Sequence, residues 1–339
     1  MSPKISIVGA GTWGTALAKI IAEKHEDVVL WAHEPEAVSS INETHRNALF
    51  LKDFDLPPHL KATGDFQAAL ADRDVVFSVV PAQVLRGVWT KAAAYLHPEA
   101  ILVSCTKGLE EHSGKLASEI LAECLPQHPS SRRVYLSGPS FAKEVAQHMP
   151  TTVTVAGTDQ EVARTVQQLL RTETFITFTH RDVVGVEVAG AVKNVLAIAT
   201  GTGDGLGYGK NTRAALITRG LYEMTKIGMA KGAEAYTFMG LAGIGDLVLT
   251  ATDEQSRNYT VGKRLGRGEK IGDIIANMTM VAEGYKTSAA LHSLIKKHHI
   301  SAPICDTVYR MLHENLDPKI AAHELCSIAL TEELRSVRC

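Results

Sequence analysis

The sequence is poor in cysteine, and its few cysteines form no pattern that points to a metal site or a disulfide framework. Five cysteines are spread over 339 residues, with no CxxC pair and no histidine–cysteine cluster at zinc-ligand spacing. An odd number of scattered cysteines is typical of a reduced intracellular protein. We therefore expect a cytoplasmic protein without a structural metal, and we interpret Cys105 as a small buried strand residue rather than as a nucleophile.

Excess charge of one sign and long uninterrupted apolar runs are lacking as well. The formal net charge is −2, and the basic residues are dispersed along the chain. This balance argues against nucleic acid or an anionic membrane as the main partner. The most apolar stretch, 183–199, contains Glu187 and Lys193, and we expect it to be too short to span a bilayer. The sequence therefore predicts neither nucleic-acid binding nor membrane insertion.

Glycines mark the first transition from strand to helix. The apolar run 5–8 leads directly into Gly9-Ala10-Gly11-Thr12-Trp13-Gly14, and a helical pattern follows. The first glycine permits a tight turn, the second lets backbone amides approach a pyrophosphate, and the third allows close packing of helix on strand. The phosphates would lie at the positive end of the helix dipole. The motif predicts a dinucleotide site, with a structural βα turn as the alternative.

Length and periodicity predict two domains. Strand-like apolar runs alternate with helical patterns in the first half, whereas long helical periodicity without a convincing strand begins near residue 183. The alternation predicts a doubly wound, mostly parallel α/β sheet of Rossmann type. We place a dinucleotide-binding domain at 1–189 and an all-helical substrate domain at 190–339. The predicted strands are 5–8, 28–32, 60–63, 75–80, 101–105, 134–137, 152–156 and 175–179.

Lys193 is our candidate for the proton donor and acceptor that a dehydrogenase needs beside the reacting carbon. It stands in the apolar stretch 183–199, which predicts a buried helix. Small residues one turn before and after it would leave a hollow for a substrate. Burial would lower the pKa of its ammonium toward neutrality. The alternative is a structural lysine paired with Glu187 or with a distant carboxylate.

Two polar groups stand out in the second half. Asp246 is a lone carboxylate in an apolar, glycine-rich run, so its burial would require a cation such as Lys193. The alternative is an N-cap for a helix beginning at Leu247. Further on, Ser256-Arg257-Asn258 places a guanidinium fork between two short polar side chains. That arrangement suits a phosphate, and it equally suits a surface loop.

Three loops complete the set of candidates. The first, 105–108, ends a strand with Lys107, and the second, 137–142, turns from strand to helix with Pro139 and Ser140 in capping positions. Doubly wound folds bind ligands at such strand ends, although turn chemistry alone also explains both loops. We interpret the glycine run 201–209 as a mobile loop that leads to a helix N-cap at Asn211.

Eight segments together resemble the bacterial NAD(P)-dependent sn-glycerol-3-phosphate dehydrogenase family. They follow one another along nearly the whole chain as GAGTWGTALA, WAHEPE, SCTKGLE, SGPSFAKE, GAVKNVLAIATG, GLAGIGDLVLT, QSRN and VAEGY. The resemblance implies reversible reduction of dihydroxyacetone phosphate to sn-glycerol 3-phosphate, which supplies phospholipid synthesis. It also implies a Rossmann domain, an all-helical C-terminal domain and a homodimer.

The resemblance also implies roles for individual residues. Lys193 would exchange the proton, Asp246 would hold its ammonium, and Lys107 would add positive field near the carbonyl. Substrate contacts would come from Lys107, Gly138, Ser140, Lys193, Asn194, Asp246, Ser256, Arg257 and Asn258. Nucleotide contacts, besides Gly9, Gly11 and Gly14, would come from Thr12, Trp13, His33, Lys107, Ala142, Arg257, Val281 and Glu283.

The cofactor is predicted to be NADP or NAD, with NADPH accepted at least as well as NADH. An NAD-restricted site usually places an acid at the end of the second strand, where this chain has Ala32 and His33. Glu34 comes next, and our hypothesis has it pointing outward with His33 near the 2′-phosphate. Relatives commonly carry arginine at the position of His33.

Two other functions remain open on the sequence. One is a two-domain dehydrogenase for a β-hydroxy acid or a sugar acid, which would need an anion site for a carboxylate. The other is a non-catalytic NADPH-sensing module, against which the Lys193 and Asp246 pair argues. A substrate panel with both reduced cofactors separates the three.

Overall fold

The computed structural model describes residues 2–278 and 282–327, and the chain divides into two compact units. The first unit comprises the chain up to residue 107 together with 115–187, and the second comprises 108–114 together with the chain from residue 188 onward. The short segment 108–114 thus belongs to the helical unit. That the first domain binds the cofactor and the second the substrate stays a prediction.

The first unit is built on one eight-stranded sheet in the order β3-β2-β1-β4-β5-β6-β7-β8. Neighbouring strands run parallel except for β6 and β7, which pair antiparallel. The predicted Rossmann-type, mostly parallel sheet is therefore confirmed. The strands are β1 Ile5–Val8, β2 Val28–Trp31, β3 Lys61–Thr63, β4 Val75–Ser78, β5 Ile101–Ser104, β6 Arg133–Ser137, β7 Thr151–Gly157 and β8 Phe175–His180.

Helices cover both faces of this sheet. Ile7 and Phe77 face a buried core that includes residues of α1, α2 and α7, whereas Val8 and Val76 face one built with α3, α4 and α5. Burial on both faces explains why the strands are continuous apolar runs rather than alternating ones. The helices are α1 Thr12–Ala22, α2 Pro35–Thr44, α3 Phe66–Leu70, α4 Ala82–Ala92, α5 Ala117–Cys124, α6 Ala142–Ala146 and α7 Gln160–Leu170.

Among its described residues the second unit contains helices, turns and loops but no strand, as the sequence predicts. Helix α8 begins at Val183, shortly before the unit boundary at residue 188. A 3₁₀ turn, Ala235–Met239, and a π turn, Leu241–Gly245, precede α10. The helices are α8 Val183–Gly205, α9 Lys210–Ala230, α10 Asp246–Thr252, α11 Arg257–Gly266, α12 Ile271–Ala276, α13 Glu283–Lys297, α14 Pro303–His313 and α15 Pro318–Cys326.

Helix α8 is longer than the apolar stretch from which it was predicted. Its 23 residues have the length and apolar composition of a membrane span, so the expectation that it is too short was wrong. In the structure, 89% of an apolar 18-residue segment of this helix is buried. One mostly buried helix of this kind is typical of a protein core and is weak support for a membrane span.

The glycine run 201–209 is not a loop over most of its length. Gly201 and Gly205 lie inside α8, and α9 begins at Lys210 with Gly209, not Asn211, as its N-cap. The early glycines are needed for packing: a Cβ at Gly201 would lie 2.1 Å from the carbonyl oxygen of Tyr259 in α11. The prediction of a mobile loop failed because glycine has two uses, turn formation and close helix contact.

Candidate active site

Four of the predicted site segments follow strands of the first unit. Gly9 follows β1, His33 follows β2, Lys107 follows β5 and Gly138 follows β6. These strands are connected through parallel pairs only. Their carboxyl ends therefore lie at one edge of the sheet, which is where open α/β sheets bind ligands.

The turn between β1 and α1 has the shape that a pyrophosphate requires. Gly9 has φ = +118°, and a Cβ there would lie 2.4 Å from the carbonyl oxygen of Val79. A Cβ at Gly14 would lie 1.8 Å from the carbonyl oxygen of Gly9, so helix and turn are in close contact. A Cβ at Gly11, by contrast, would have nothing within 4 Å. The turn leaves open space at Gly11, the position predicted to face the phosphates.

The N-terminus of α1 also suits an anion, because no side chain caps its first amides. Thr12 and Trp13 are the first two residues of α1, and the N-cap Gly11 has no side chain to bond the first amides. Helix amides of this kind, with the dipole behind them, bind phosphate groups. The turn and the helix end therefore fit the dinucleotide that the motif predicts.

Beyond β2 and β6 lie two further residues of the predicted nucleotide site. His33 is exposed, and its ring centroid is 6.2 Å from that of Trp31 at the end of β2. Ala142 is half-buried and begins α6. The helix has Phe141 as its N-cap, without a side-chain bond, so the predicted capping role of Ser140 was wrong.

Lys107 and Ser140 meet at one carbonyl group. The Nζ of Lys107 donates to the carbonyl oxygen of Gly138 at 3.0 Å, and the Oγ of Ser140 donates to the same oxygen at 2.9 Å. Gly138 has φ = +133°, which a side chain rarely adopts. Three residues predicted for the substrate are thus in direct contact.

The neighbouring cysteine is buried, which disfavours its thiolate form. Cys105 is buried, and burial raises the pKa of its thiol to about 12, with the nearby Lys107 lowering it in part. A thiol in this state is not a nucleophile at neutral pH. The structural role predicted for Cys105 is therefore supported.

Lys193 in α8 forms a buried ion pair with Asp246 in α10. The distance between Nζ and Oδ1 is 2.5 Å, and the side chains are 8% and 1% exposed. Nζ also donates to the Oγ1 of Thr250 at 2.9 Å. The predicted pairing of Lys193 with Asp246 is present. Asp246 has helical backbone angles and follows the N-cap Gly245, so the alternative that it caps the helix was wrong.

A π turn positions Asp246 for its contact with Lys193. Leu241–Gly245 forms the turn, and Asp246 is the next residue. A Cβ at Gly243 would lie 2.1 Å from the carbonyl oxygen of Phe238, so only glycine fits. Phe238 is fully buried, and a Cβ at Gly228 of α9 would lie 2.1 Å from its ring. The turn is thereby held against α9, and π turns are frequent at functional sites.

The start of α11 carries the predicted phosphate-binding residues. The Oγ of Ser256 caps the helix by accepting from the amide of Tyr259 at 3.2 Å. Arg257, the first residue of the helix, is exposed, whereas Asn258 is buried. Asn258 donates from Nδ2 to the Oδ1 of Asn194 at 2.9 Å. These contacts tie the first turn of α11 to the residue beside Lys193.

The start of α13 joins the same group. The Oδ1 of Asn258 accepts from the amide of Gly284 at 2.9 Å, and Glu283 is the first residue of the helix. Desolvation by the surrounding protein lowers the pKa of the Arg257 guanidinium, and the charge of Glu283 raises it in part. Val281, predicted to contact the nucleotide, lies outside the described residues.

The second unit thus brings together most of its predicted residues. Lys193 and Asn194 on α8 share contacts with Asp246 on α10 and with Asn258 on α11. Among residues 2–278 and 282–327, no three histidine, cysteine, aspartate or glutamate residues form a group that could hold a metal ion. The arrangement supplies a buried ammonium with its counterion, next to a helix N-terminus with an exposed guanidinium.

Comparison with known proteins agrees with this chemistry. Residues 4–163 match the family model for the N-terminus of NAD-dependent glycerol-3-phosphate dehydrogenase, and residues 182–323 match the model for its C-terminus. The chain belongs to this family. The matched segments of this chain cover both the glycine turn and the pair of Lys193 and Asp246.

Individual dehydrogenases of this family are similar over their whole length. A glycerol-3-phosphate dehydrogenase [NAD(P)+] from Syntrophotalea carbinolica is 47% identical, covering 97% of this chain and 99% of the relative. Its namesake from Geobacter sulfurreducens is 46% identical over 100% of both chains. The crystal structure of glycerol-3-phosphate dehydrogenase from Coxiella burnetii has a TM-score of 0.91 at 39% identity, covering 96% of this chain and 99% of that one.

Some features of this dehydrogenase site were not predicted from the sequence. Thr250 contacts Lys193, and its signal is its position one helical turn after Asp246. The π turn left a weaker signal, the glycines of 240–245. The contact between Asn194 and Asn258 has no local signal, because the residues are 64 positions apart.

Proposed function

We propose that the chain catalyses the reversible, NAD(P)H-dependent reduction of dihydroxyacetone phosphate to sn-glycerol 3-phosphate, supplying glycerol phosphate for phospholipid synthesis. The observation that carries this proposal is the buried contact of Lys193 with Asp246 and Thr250. A buried lysine with a hydrogen-bonded counterion is what proton exchange with an alcohol requires.

Lys193 is the proposed acid and base. During reduction its ammonium gives a proton to the alkoxide that develops on the substrate, and during oxidation its amine takes the proton back. Asp246, at 2.5 Å, orients the ammonium and balances its charge. Thr250 adds a second acceptor at 2.9 Å, so the direction of the Nζ group is set by two partners. When bound, the dinucleotide supplies the hydride.

The first turn of α11 is proposed to bind the substrate phosphate. The ten-residue helix directs its N-terminal dipole toward an anion, and the fork of Arg257 can form charge-assisted hydrogen bonds with phosphate oxygens. Asn258 and its hydrogen-bond partner Asn194 add side-chain amide groups beside this first turn. Lys107, Gly138 and Ser140 are proposed as further substrate contacts. Lys107 would add positive potential near the carbonyl.

The glycine turn after β1 is proposed to bind the pyrophosphate of the cofactor. The open space at Gly11 and the amides of Thr12 and Trp13 support this role. His33 is proposed to lie near a 2′-phosphate, so that NADPH is accepted at least as well as NADH. Ala142, Arg257, Val281 and Glu283 are proposed as the remaining nucleotide contacts.

The proposal also includes the cellular location and the oligomeric state of the protein. Scattered cysteines without disulfide spacing support a cytoplasmic location, and the resemblance supports a homodimer.

An absorbance assay of the purified chain tests the proposal. Dihydroxyacetone phosphate should drive oxidation of NADPH and of NADH, and sn-glycerol 3-phosphate should drive the reverse reaction. Hydroxy acids and sugar acids of similar size serve as comparison substrates. Turnover of a hydroxy acid without turnover of dihydroxyacetone phosphate would overturn the proposal.

A further inference from the structure

Helices α8 and α11 lie side by side in register within the second unit. Asn194 bonds Asn258, and four residues later a Cβ at Gly262 would lie 2.1 Å from the carbonyl oxygen of Ile198. One turn further, a Cβ at Gly266 would lie 2.3 Å from the carbonyl oxygen of Thr202. The same offset of 64 residues applies to all three contacts, so the two helices run parallel.

Glycines on both helices make this approach possible. A Cβ at Gly205 of α8 would lie 2.3 Å from the carbonyl oxygen of Lys263, in the same manner as Gly201 against Tyr259. Small residues let the two backbones approach closely. Glycines have no side chains that could interlock, however. The glycine contacts therefore fix the distance between the two helices more firmly than their register along the axis.

A second polar contact, in addition to that between Asn194 and Asn258, fixes the register of the two helices. The hydroxyl of Tyr259 in α11 donates to the Oδ2 of Asp204 in α8. Arg213 in α9 holds the same carboxylate through two bonds, from Nη2 at 2.5 Å and from Nε at 3.3 Å. The Asp204 side chain is only 11% exposed. Burial and Asp204 raise the pKa of Tyr259 to about 12, so the phenol remains a donor at neutral pH.

The contact between Tyr259 and Asp204 lies next to the predicted phosphate-binding residues. Tyr259 directly follows Arg257 and Asn258, and its amide donates to the capping Oγ of Ser256. Its hydroxyl and its backbone therefore fix the same turn of α11 from two sides. Asp204 belongs to the helix that carries Lys193.

We propose that Tyr259 and Asp204 are positioning residues that hold the phosphate-binding turn of α11 at the level of Lys193. The inference rests on the proposed function, because it takes Arg257 and Asn258 as phosphate ligands. Tyr259 acts through Arg257 and Asn258, and Asp204 acts through Tyr259. Neither residue exchanges a proton with the substrate.

The test compares Tyr259→Phe and Asp204→Ala with the wild-type enzyme. For both variants the KM for dihydroxyacetone phosphate and the inhibition constant of inorganic phosphate should rise together by about tenfold, the scale of one charge-assisted hydrogen bond. The kcat and its pH profile should stay close to wild type, because Lys193 and Asp246 are untouched. Asp204→Asn keeps an acceptor for the Tyr259 hydroxyl and should restore most of the affinity.

Tyr236→Phe is the matched control. Tyr236 is 83% exposed, so loss of its hydroxyl should change neither constant. Thermal unfolding of every variant shows whether it folds. A lower melting temperature for Tyr259→Phe and Asp204→Ala with unchanged KM and unchanged phosphate inhibition would show a merely structural contact and overturn the inference.

Binding of inorganic phosphate, measured by calorimetry, separates this inference from the proposed function. A wild-type enzyme that binds phosphate but does not reduce dihydroxyacetone phosphate contradicts the proposed function. In that case the phosphate Kd of Tyr259→Phe still tests the positioning role: a higher Kd supports it, and an unchanged Kd contradicts it. A wild-type enzyme that reduces dihydroxyacetone phosphate but binds no inorganic phosphate contradicts the phosphate site at the start of α11, and with it this inference, and leaves the proposed reaction intact.

Discussion

Lys193 and Asp246 form an ion pair that is almost completely removed from solvent, with 2.5 Å between Nζ and Oδ1. Burying two charges costs several kcal/mol of desolvation per ion, which their mutual attraction only partly offsets. Such a pair is therefore poorly explained by stability. It is well explained by the need for an ammonium of fixed direction in a site that exchanges protons.

Replacing Asp246 should damage both the fold and the reaction. Asp246→Asn leaves the Lys193 ammonium buried without its counterion, so we expect the free energy of unfolding to fall by about 3 kcal/mol and kcat to fall as well. Thr250→Val removes one neutral hydrogen-bond partner and should cost only about 1 kcal/mol. Thr252→Val, at an exposed position of the same helix, is the control. Denaturant unfolding and steady-state kinetics measure these effects, and equal losses for all three variants would be inconsistent with the assignment.

Arg257 should be irreplaceable by lysine. A planar fork can contact two anionic groups at once, whereas an ammonium is a compact point charge. Arg257→Ala should lower kcat/KM by a factor that corresponds to about 2–5 kcal/mol, and Arg257→Lys should recover little of it. Competition by inorganic phosphate should weaken in parallel. Arg267→Ala, at the exposed C-terminal end of α11, is the control. If KM for substrate and cofactor is unchanged in Arg257→Ala, the residue is a surface arginine.

His33 should set the balance between the two cofactors. His33→Arg adds a permanent charge and a fork for a 2′-phosphate, so the KM for NADPH should fall by about tenfold with little change for NADH. His33→Ala should raise the KM for NADPH alone. Steady-state kinetics with both cofactors provide the measurement. A strong NADH preference in the wild type that survives His33→Ala would remove His33 from the cofactor site.

Glu223 should make the stability of the protein depend on pH. The carboxyl group is buried in α9 and accepts from the amides of Ile304 and Cys305 at 2.8 and 3.0 Å. Burial raises its pKa from 4.5 to about 7, although the amide hydrogen bonds lower it in part. The folded state therefore holds this proton to higher pH than the unfolded state does. The stabilisation is fully present below pH 4.5 and is lost as the pH rises through 7.

Glu223→Gln isolates this effect, because glutamine keeps an acceptor and does not titrate. The free energy of unfolding of the variant minus that of the wild type should increase between about pH 5 and pH 8, by on the order of 3 kcal/mol for a shift of this size. Denaturant unfolding at both pH values measures the difference. A difference that does not change with pH would show that Glu223 ionises normally.

The sequence predicts the fold better than it predicts the contacts between helices. The strands are recognisable because both faces of the sheet are buried, which leaves uninterrupted apolar runs. The assignment of 201–209 failed because Gly201 and Gly205 serve a close helix contact, and their partners in α11 are distant in sequence. The contact between Lys193 and Asp246 was predictable because a lone carboxylate in an apolar run needs a cation. The contact between Tyr259 and Asp204 was not, since both residues are equally plausible on a surface.

The most direct test of the account is the kinetics of Lys193→Met. Methionine fills the space of the lysine stem without carrying a proton, so kcat for reduction of dihydroxyacetone phosphate should fall by about 10²–10⁴-fold. The Kd for NADPH, measured by fluorescence titration, should stay unchanged, because most of the proposed nucleotide contacts lie in the first unit. Loss of turnover with intact NADPH binding is the predicted result. Retention of most of the activity would contradict the account and would transfer the proton exchange to another group, of which Lys107 is the first to examine.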